Sequence, residues 1–206
     1  MTTPAAEVFL QAADMFGSLC DQITDDRWER PGLGEWDVRA LTGHTLRAVT
    51  TVASYLQEPA PEQADCHSAG EYFAMARTIP GADDRSVAER GHQAGAALGP
   101  DPATTVHAEI ARTRAALAEV GDHDPLVPTV VGAMRLGDYL PTRVFELLAH
   151  SLDLAHATGV TVDPPAPVVE SAVQTAAAAL ARIEDGVGLF RHLLGRPDGA
   201  FRPLFG

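Results

Sequence analysis

Apolar residues recur three and four positions apart along most of this chain, and Pro and Gly clusters interrupt the pattern cleanly, which points to packed helices and to little else. A first helix is expected from about Thr3 to Thr24, with Phe9, Ala13, Phe16 and Cys20 on its inward stripe. "RPGLGEWD" breaks it. A second helix should start near Asp37, a suitable N-cap, and run through Val38, Leu41, Thr45, Ala48 and Val52 to about Gln57, where "EPAPEQAD" ends it. Residues 59–100 are less regular, with short helical stretches at "AGEYFAMART" and "DDRSVAERGHQAGAAL", and read as a long crossover. A third long helix is expected from Pro102 to Val120, then a short extended piece at "PTVVGAMRL", a fourth helix from Asp138 to Thr158, and an Ala-rich helix from Val168 to about Leu194.

Several long helices, almost no strand signal and a long connection predict an all-α helical bundle with a crossover. At 206 residues and 46% hydrophobic content the chain can bury one substantial core. The expected division is a bundle over residues 1–165, with residues 166–206 forming a C-terminal helix and tail packed on it. The formal charge of -13 would repel a phosphate backbone, so no nucleic-acid partner and no anionic membrane surface is expected. "MTTPAAEVFLQAADMF" has no basic leader region, and no apolar run is long enough to span a bilayer, so the expected location is cytoplasmic. Cys20, in a helical pattern, and Cys66, in a polar loop, are read as a small buried hydrophobe and an incidental thiol.

The candidate site lies in "RVFELLAHSLDLAHATG", residues 143–159. At about 100° per residue, Glu146 and His150 lie about 40° apart around a helix, and Asp153 returns to within about 20° of Glu146. Arg143 and Tyr139 extend the same stripe, and Leu147, Leu148, Leu152 and Leu154 flank it. A carboxylate and an imidazole one turn apart can bind one metal ion, but two ligands do not hold zinc. His44, in the helical pattern "EWDVRALTGHTLRAV", is the best candidate for a third. Such a Glu-x-x-x-His pair is also commonly a solvated surface pair, and Asp153 could orient a ligand imidazole or face water. Arg143 could neutralise Glu146 or Asp153, or meet substrate. His156 falls off the face, and His67, His92, His107, His123 and His192 read as ordinary.

"WDVRALTGH" (36–44) with "LGDYLPTRVFELLAHSLDLA" (136–155) resembles the DinB-like metalloenzyme superfamily, and within it the mycothiol-dependent maleylpyruvate isomerase N-terminal domain family of actinobacteria. The resemblance covers about residues 5–160. It implies a four-helix bundle of up-down-down-up topology whose divalent metal, usually zinc, is held at the positions of His44, Glu146 and His150. The isomerase carries a further C-terminal domain, whereas only residues 168–206 follow Pro167 here.

The implied activity is a thiol S-transferase or isomerase in which mycothiol or another low-molecular-weight thiol becomes a metal-bound thiolate and attacks a small electrophilic substrate. Arg143 and Arg47 would steady developing negative charge. Asp153 is expected beside the site and outside the ligand set. Tyr72 and Phe73, from the crossover, are expected to line the pocket mouth and meet the cofactor thiol. The tail, with Phe190, Phe201 and Phe205, is expected to pack on the bundle or on a second subunit of a homodimer. Two alternatives remain: a thiol-independent metal-dependent hydrolase, lyase or cyclase of the same fold, and a non-catalytic small-molecule-binding bundle.

Overall fold

The computed structural model describes residues 3–80, 84–183 and 186–196, and nearly all of its regular structure is helical. In chain order the elements are α1 (Pro4–Cys20), a hairpin of β1 (Pro31–Leu33) and β2 (Trp36–Asp37), α2 (Val38–Leu56), α3 (Ala69–Ala76), α4 (Asp84–Ala97) and α5 (Pro102–Val120). A second hairpin of β3 (Leu126–Thr129) and β4 (Gly132–Arg135) leads directly into α6 (Leu136–Thr158), followed by α7 (Ala166–Ile183) and α8 (Gly186–Leu193).

Local chemistry sets the helix starts. Thr3, Asp37, Ser68 and Asp101 each accept a hydrogen bond from a backbone amide in the first turn of α1, α2, α3 and α5 respectively. Asp37 is the cap read from the sequence, and its carboxylate lies 2.6 Å from the Ala40 nitrogen. The first turn of α6 lacks a side-chain cap of its own. Asp124, in the loop before β3, accepts from the Gly137 amide at 2.7 Å instead.

Four long helices form a ring in which α1 packs on α5 and α6, and α2 packs on the same two from the opposite corner. Phe9, Phe16, Leu41, Val49, Leu117, Tyr139 and Leu147 fill the middle and are almost completely buried. Burial of this many large side chains is what holds so helical a chain together, since helix propensity alone is weak. The crossover divides: α3 packs on α6 and α7, and α4 lies along α2. The all-α bundle expected from periodicity is the observed fold, with two small antiparallel hairpins added.

Several details differ from the sequence reading. Helix α1 ends at Cys20, and the next backbone bonds tighten into the turn that carries Gln22 and Ile23. "RPGLGEWD" is a β-hairpin, with Gly34 taking the positive φ of +58° that its turn requires. The extended piece is a four-residue ladder from Leu126 opposite Arg135 to Thr129 opposite Gly132. It pins the crossover, because the Ala133 carbonyl accepts from the Asp65 and Cys66 amides. Cys66 lies in an irregular segment, as expected, but is buried against the core. Two helices stand where one was expected after Val168. Leu152 is 48% exposed, so it does not flank the seam from inside. Phe190 is exposed on α8 together with Val187 and Leu193, as is Leu194 just after it, and Phe201 and Phe205 lie outside the described residues.

Candidate metal centre

Helices α2 and α6 pack against each other, and their facing sides bring three donors together. One ligand atom each from His44, Glu146 and His150 lies within 4.8 Å of the others. The two imidazoles meet edge to face with centroids 5.0 Å apart. His150 Nε2 is 3.3 Å from Glu146 Oε2, and its Nδ1 is 3.1 Å from Asp153 Oδ2. The Asp153 contact uses Nδ1 and leaves Nε2 as the nitrogen turned towards the donor set. Side-chain exposures of 17% for His150 and 22% for Glu146 leave the group reachable by a small molecule while most of its surface is dry.

Three titratable groups here are held away from their ordinary pKa values. Burial and the neighbouring His150 charge push the His44 pKa down to about 4, so its ring is neutral at ordinary pH. Burial also works against a charged His150, but hydrogen bonds to Asp153 and Glu146 prevail and pull its pKa up to about 9. Burial opposes the Glu146 carboxylate too, yet the His150 hydrogen bond and the Arg143 charge hold it below its usual range. His44 Nδ1 is buried and has no hydrogen-bond partner, which is costly for a neutral imidazole unless something else occupies that position. Two imidazoles and one carboxylate are a donor set suited to zinc, and three protein ligands leave a coordination position for a further molecule. These residues fit a divalent cation.

The family model for the mycothiol maleylpyruvate isomerase N-terminal domain matches residues 9–155, well over half of the chain and the whole of the bundle segment that carries these donors. The chain belongs to that family. No curated protein and no solved structure gave a significant match. The family takes its name from an isomerase that works with a thiol, which agrees with a bundle carrying a His and Glu cluster. None of the described helices is long and apolar enough to cross a membrane.

The other residues singled out in this family member fall into two groups. Asp153 lies beside the donors, on His150. Arg143 is 9% exposed, one turn before Glu146, and its guanidinium lies 4.9 Å from the Tyr139 ring centroid and 5.3 Å from that of Tyr72. Its Nη2 donates to the Tyr72 hydroxyl at 3.2 Å and its Nε to Thr142 Oγ1 at 2.9 Å. It forms no ion pair with Glu146 or Asp153 among the described contacts. Tyr72 and Phe73 are both buried: Tyr72 joins this aromatic cage, and Phe73 packs edge to face on Phe145, next to Glu146. Arg47 is exposed on α2 and reaches the site through its charge, which helps to lower the His44 pKa.

Sequence reasoning missed Trp36. Its ring packs on His44 with centroids 4.4 Å apart. The signal available was its place directly before the Asp37 cap in "EWD", where a hydrophobic side chain can fold back onto the first turns of the helix.

Proposed function

We propose that this chain is a metal-dependent enzyme in which His44, Glu146 and His150 hold one zinc ion, and in which a thiol of the mycothiol type adds to a small electrophilic substrate. The observation that carries the reading is the convergence of three donors from two helices, one of them His44, whose buried Nδ1 has no hydrogen-bond partner. A zinc ion held by two neutral imidazoles and one carboxylate keeps a net positive charge, and would lower the pKa of an incoming thiol towards neutrality.

The residues around the donors divide the remaining tasks. Asp153 accepts the Nδ1 proton of His150 and holds that ring with Nε2 inward. Arg143, kept dry by Tyr72 and Tyr139, supplies fixed positive charge for an electrophile that gains negative charge as sulfur attacks. Arg47 adds charge from the solvent side. In the addition, the thiol sulfur bonds to one carbon of an activated double bond and a proton reaches the other; the reverse elimination after rotation releases the thiol and an isomerised product. Stopping at the adduct gives a transferase, and completing the elimination gives an isomerase.

The test is metal analysis of protein purified without chelator, followed by turnover of activated alkenes and epoxides with and without a low-molecular-weight thiol. One equivalent of zinc and thiol-dependent turnover are expected. Zinc with activity independent of thiol would favour a hydrolase, lyase or cyclase, and absence of bound metal would favour a non-catalytic bundle.

A further inference from the structure

Trp36 touches both the donor set and the crossover. Its indole lies over His44, with the two planes inclined by 32°, and its N–H donates to the Ala88 carbonyl of α4 at 3.0 Å. The approach of α4 is tight. A Cβ on Gly91 would sit 2.4 Å from the Trp36 ring, one on Gly43 2.3 Å from the Ala94 backbone, and one on Gly95 2.7 Å from Ala40. Glycine is required at these crossings because any side chain would push the helices apart. The backbone of α4 therefore runs along the turn of α2 that carries His44.

The two histidines are held differently. His150 has Asp153 on its outward nitrogen, the usual way in which a ligand imidazole is oriented. No hydrogen bond reaches either ring nitrogen of His44 among the described contacts, so whichever nitrogen faces the donors, none sets the rotation of its ring. An aromatic face packed 4.4 Å away restricts the ring in its place.

We infer that Trp36 is a positioning residue for the metal centre: its stacking sets the orientation of the His44 imidazole, and its hydrogen bond to Ala88 makes that orientation depend on the seating of α4. This role rests on the zinc reading and extends it to a residue outside the ligand set.

The experiment measures zinc affinity by competition with a chromophoric chelator, and the visible spectrum of the cobalt-substituted protein, for wild type, Trp36→Leu, Trp36→Phe, Gly91→Ala and Trp28→Leu. Trp36→Leu should weaken zinc binding by about 10- to 100-fold, the range found when groups that orient metal ligands are removed. Trp36→Phe keeps an aromatic face and should recover most of the loss. Gly91→Ala displaces the indole without touching Trp36 or a ligand, and should also weaken binding and alter the cobalt spectrum. Trp28 is buried but lies against Arg39, so Trp28→Leu should lower stability and leave zinc affinity unchanged. Zinc should slow amide exchange in α4 of wild type and not of Trp36→Leu. Wild-type affinity and spectrum in both Trp36→Leu and Gly91→Ala would overturn the role of Trp36 alone, as would equal losses in Trp36→Leu and Trp28→Leu. A wild-type protein that takes up no zinc would overturn the metal reading and this role with it.

Discussion

The proton on His150 is the first competitor for any cation at this site. With its pKa raised to about 9, His150 is charged at neutral pH, and binding must expel that proton, whereas His44, lowered to about 4, is already neutral. Zinc affinity should therefore rise about tenfold per pH unit from pH 7 and level off near pH 9, one proton being displaced per ion. A chelator-competition series across this range checks it, and a flat profile would contradict it. In the metal-free protein the sign runs the other way: the folded pKa exceeds the ordinary value near 6.5, so the stability His150 contributes is full below about pH 6.5 and is lost as pH climbs towards 9. Asp153→Asn separates the two roles of that carboxylate. It should move the levelling point of the zinc profile towards pH 6.5, and at pH 9, where proton competition has ended, it should still bind zinc more weakly, by up to about tenfold, because a neutral amide oxygen orients the ring less firmly than the carboxylate.

Among the elements, α2 carries the most. Its N-cap, its glycine contact with α4 and its candidate ligand His44 lie within two turns, so a fault in one should be felt at the others. Asp37→Ala removes the cap on the Ala40 amide and should cost about 1 kcal/mol in urea unfolding. Gly43→Ala should cost about 1–3 kcal/mol, because the new methyl group would sit 2.3 Å from the Ala94 backbone and α4 must move to admit it. The spacing of the two helices, and not the helicity of α2, is what that substitution tests. Circular dichroism should accordingly show Gly43→Ala to be as helical as wild type at low temperature. A gain in stability, as expected for a glycine facing open solvent within a helix, would contradict the packing described here.

At the scale of the molecule, the proposed zinc joins α2 to α6, which are far apart in sequence and adjacent in the ring. A ligand that binds the folded chain alone stabilises it by mass action, by about 2.7 kcal/mol at a free concentration of 100 Kd. For a domain of this size that should raise Tm by roughly 5–10 °C over the chelator-treated protein. Differential scanning calorimetry with and without zinc measures it, and Glu146→Gln should abolish the rise. A rise that survives in Glu146→Gln would place the stabilising ion elsewhere.

By itself the sequence determined which segments are helical and which residues share a helix face. These properties depend on neighbours a turn away: Asp37 caps whatever follows it, and Glu146 and His150 lie on one face of any helix that contains both. The helical pattern suggested His44 as the third donor, and the resemblance over residues 5–160 selected it. Only the tertiary structure decided how the faces meet. Helical periodicity says that a face is apolar and not which other face covers it, so the burial of Cys66 beneath the β3–β4 hairpin and the approach of Tyr72 to Arg143 had no local signature. The Gly43, Gly91 and Gly95 contacts are the clearest case. In sequence they are small residues in helices that would weaken them, and their use appears only when two backbones approach more closely than any side chain permits.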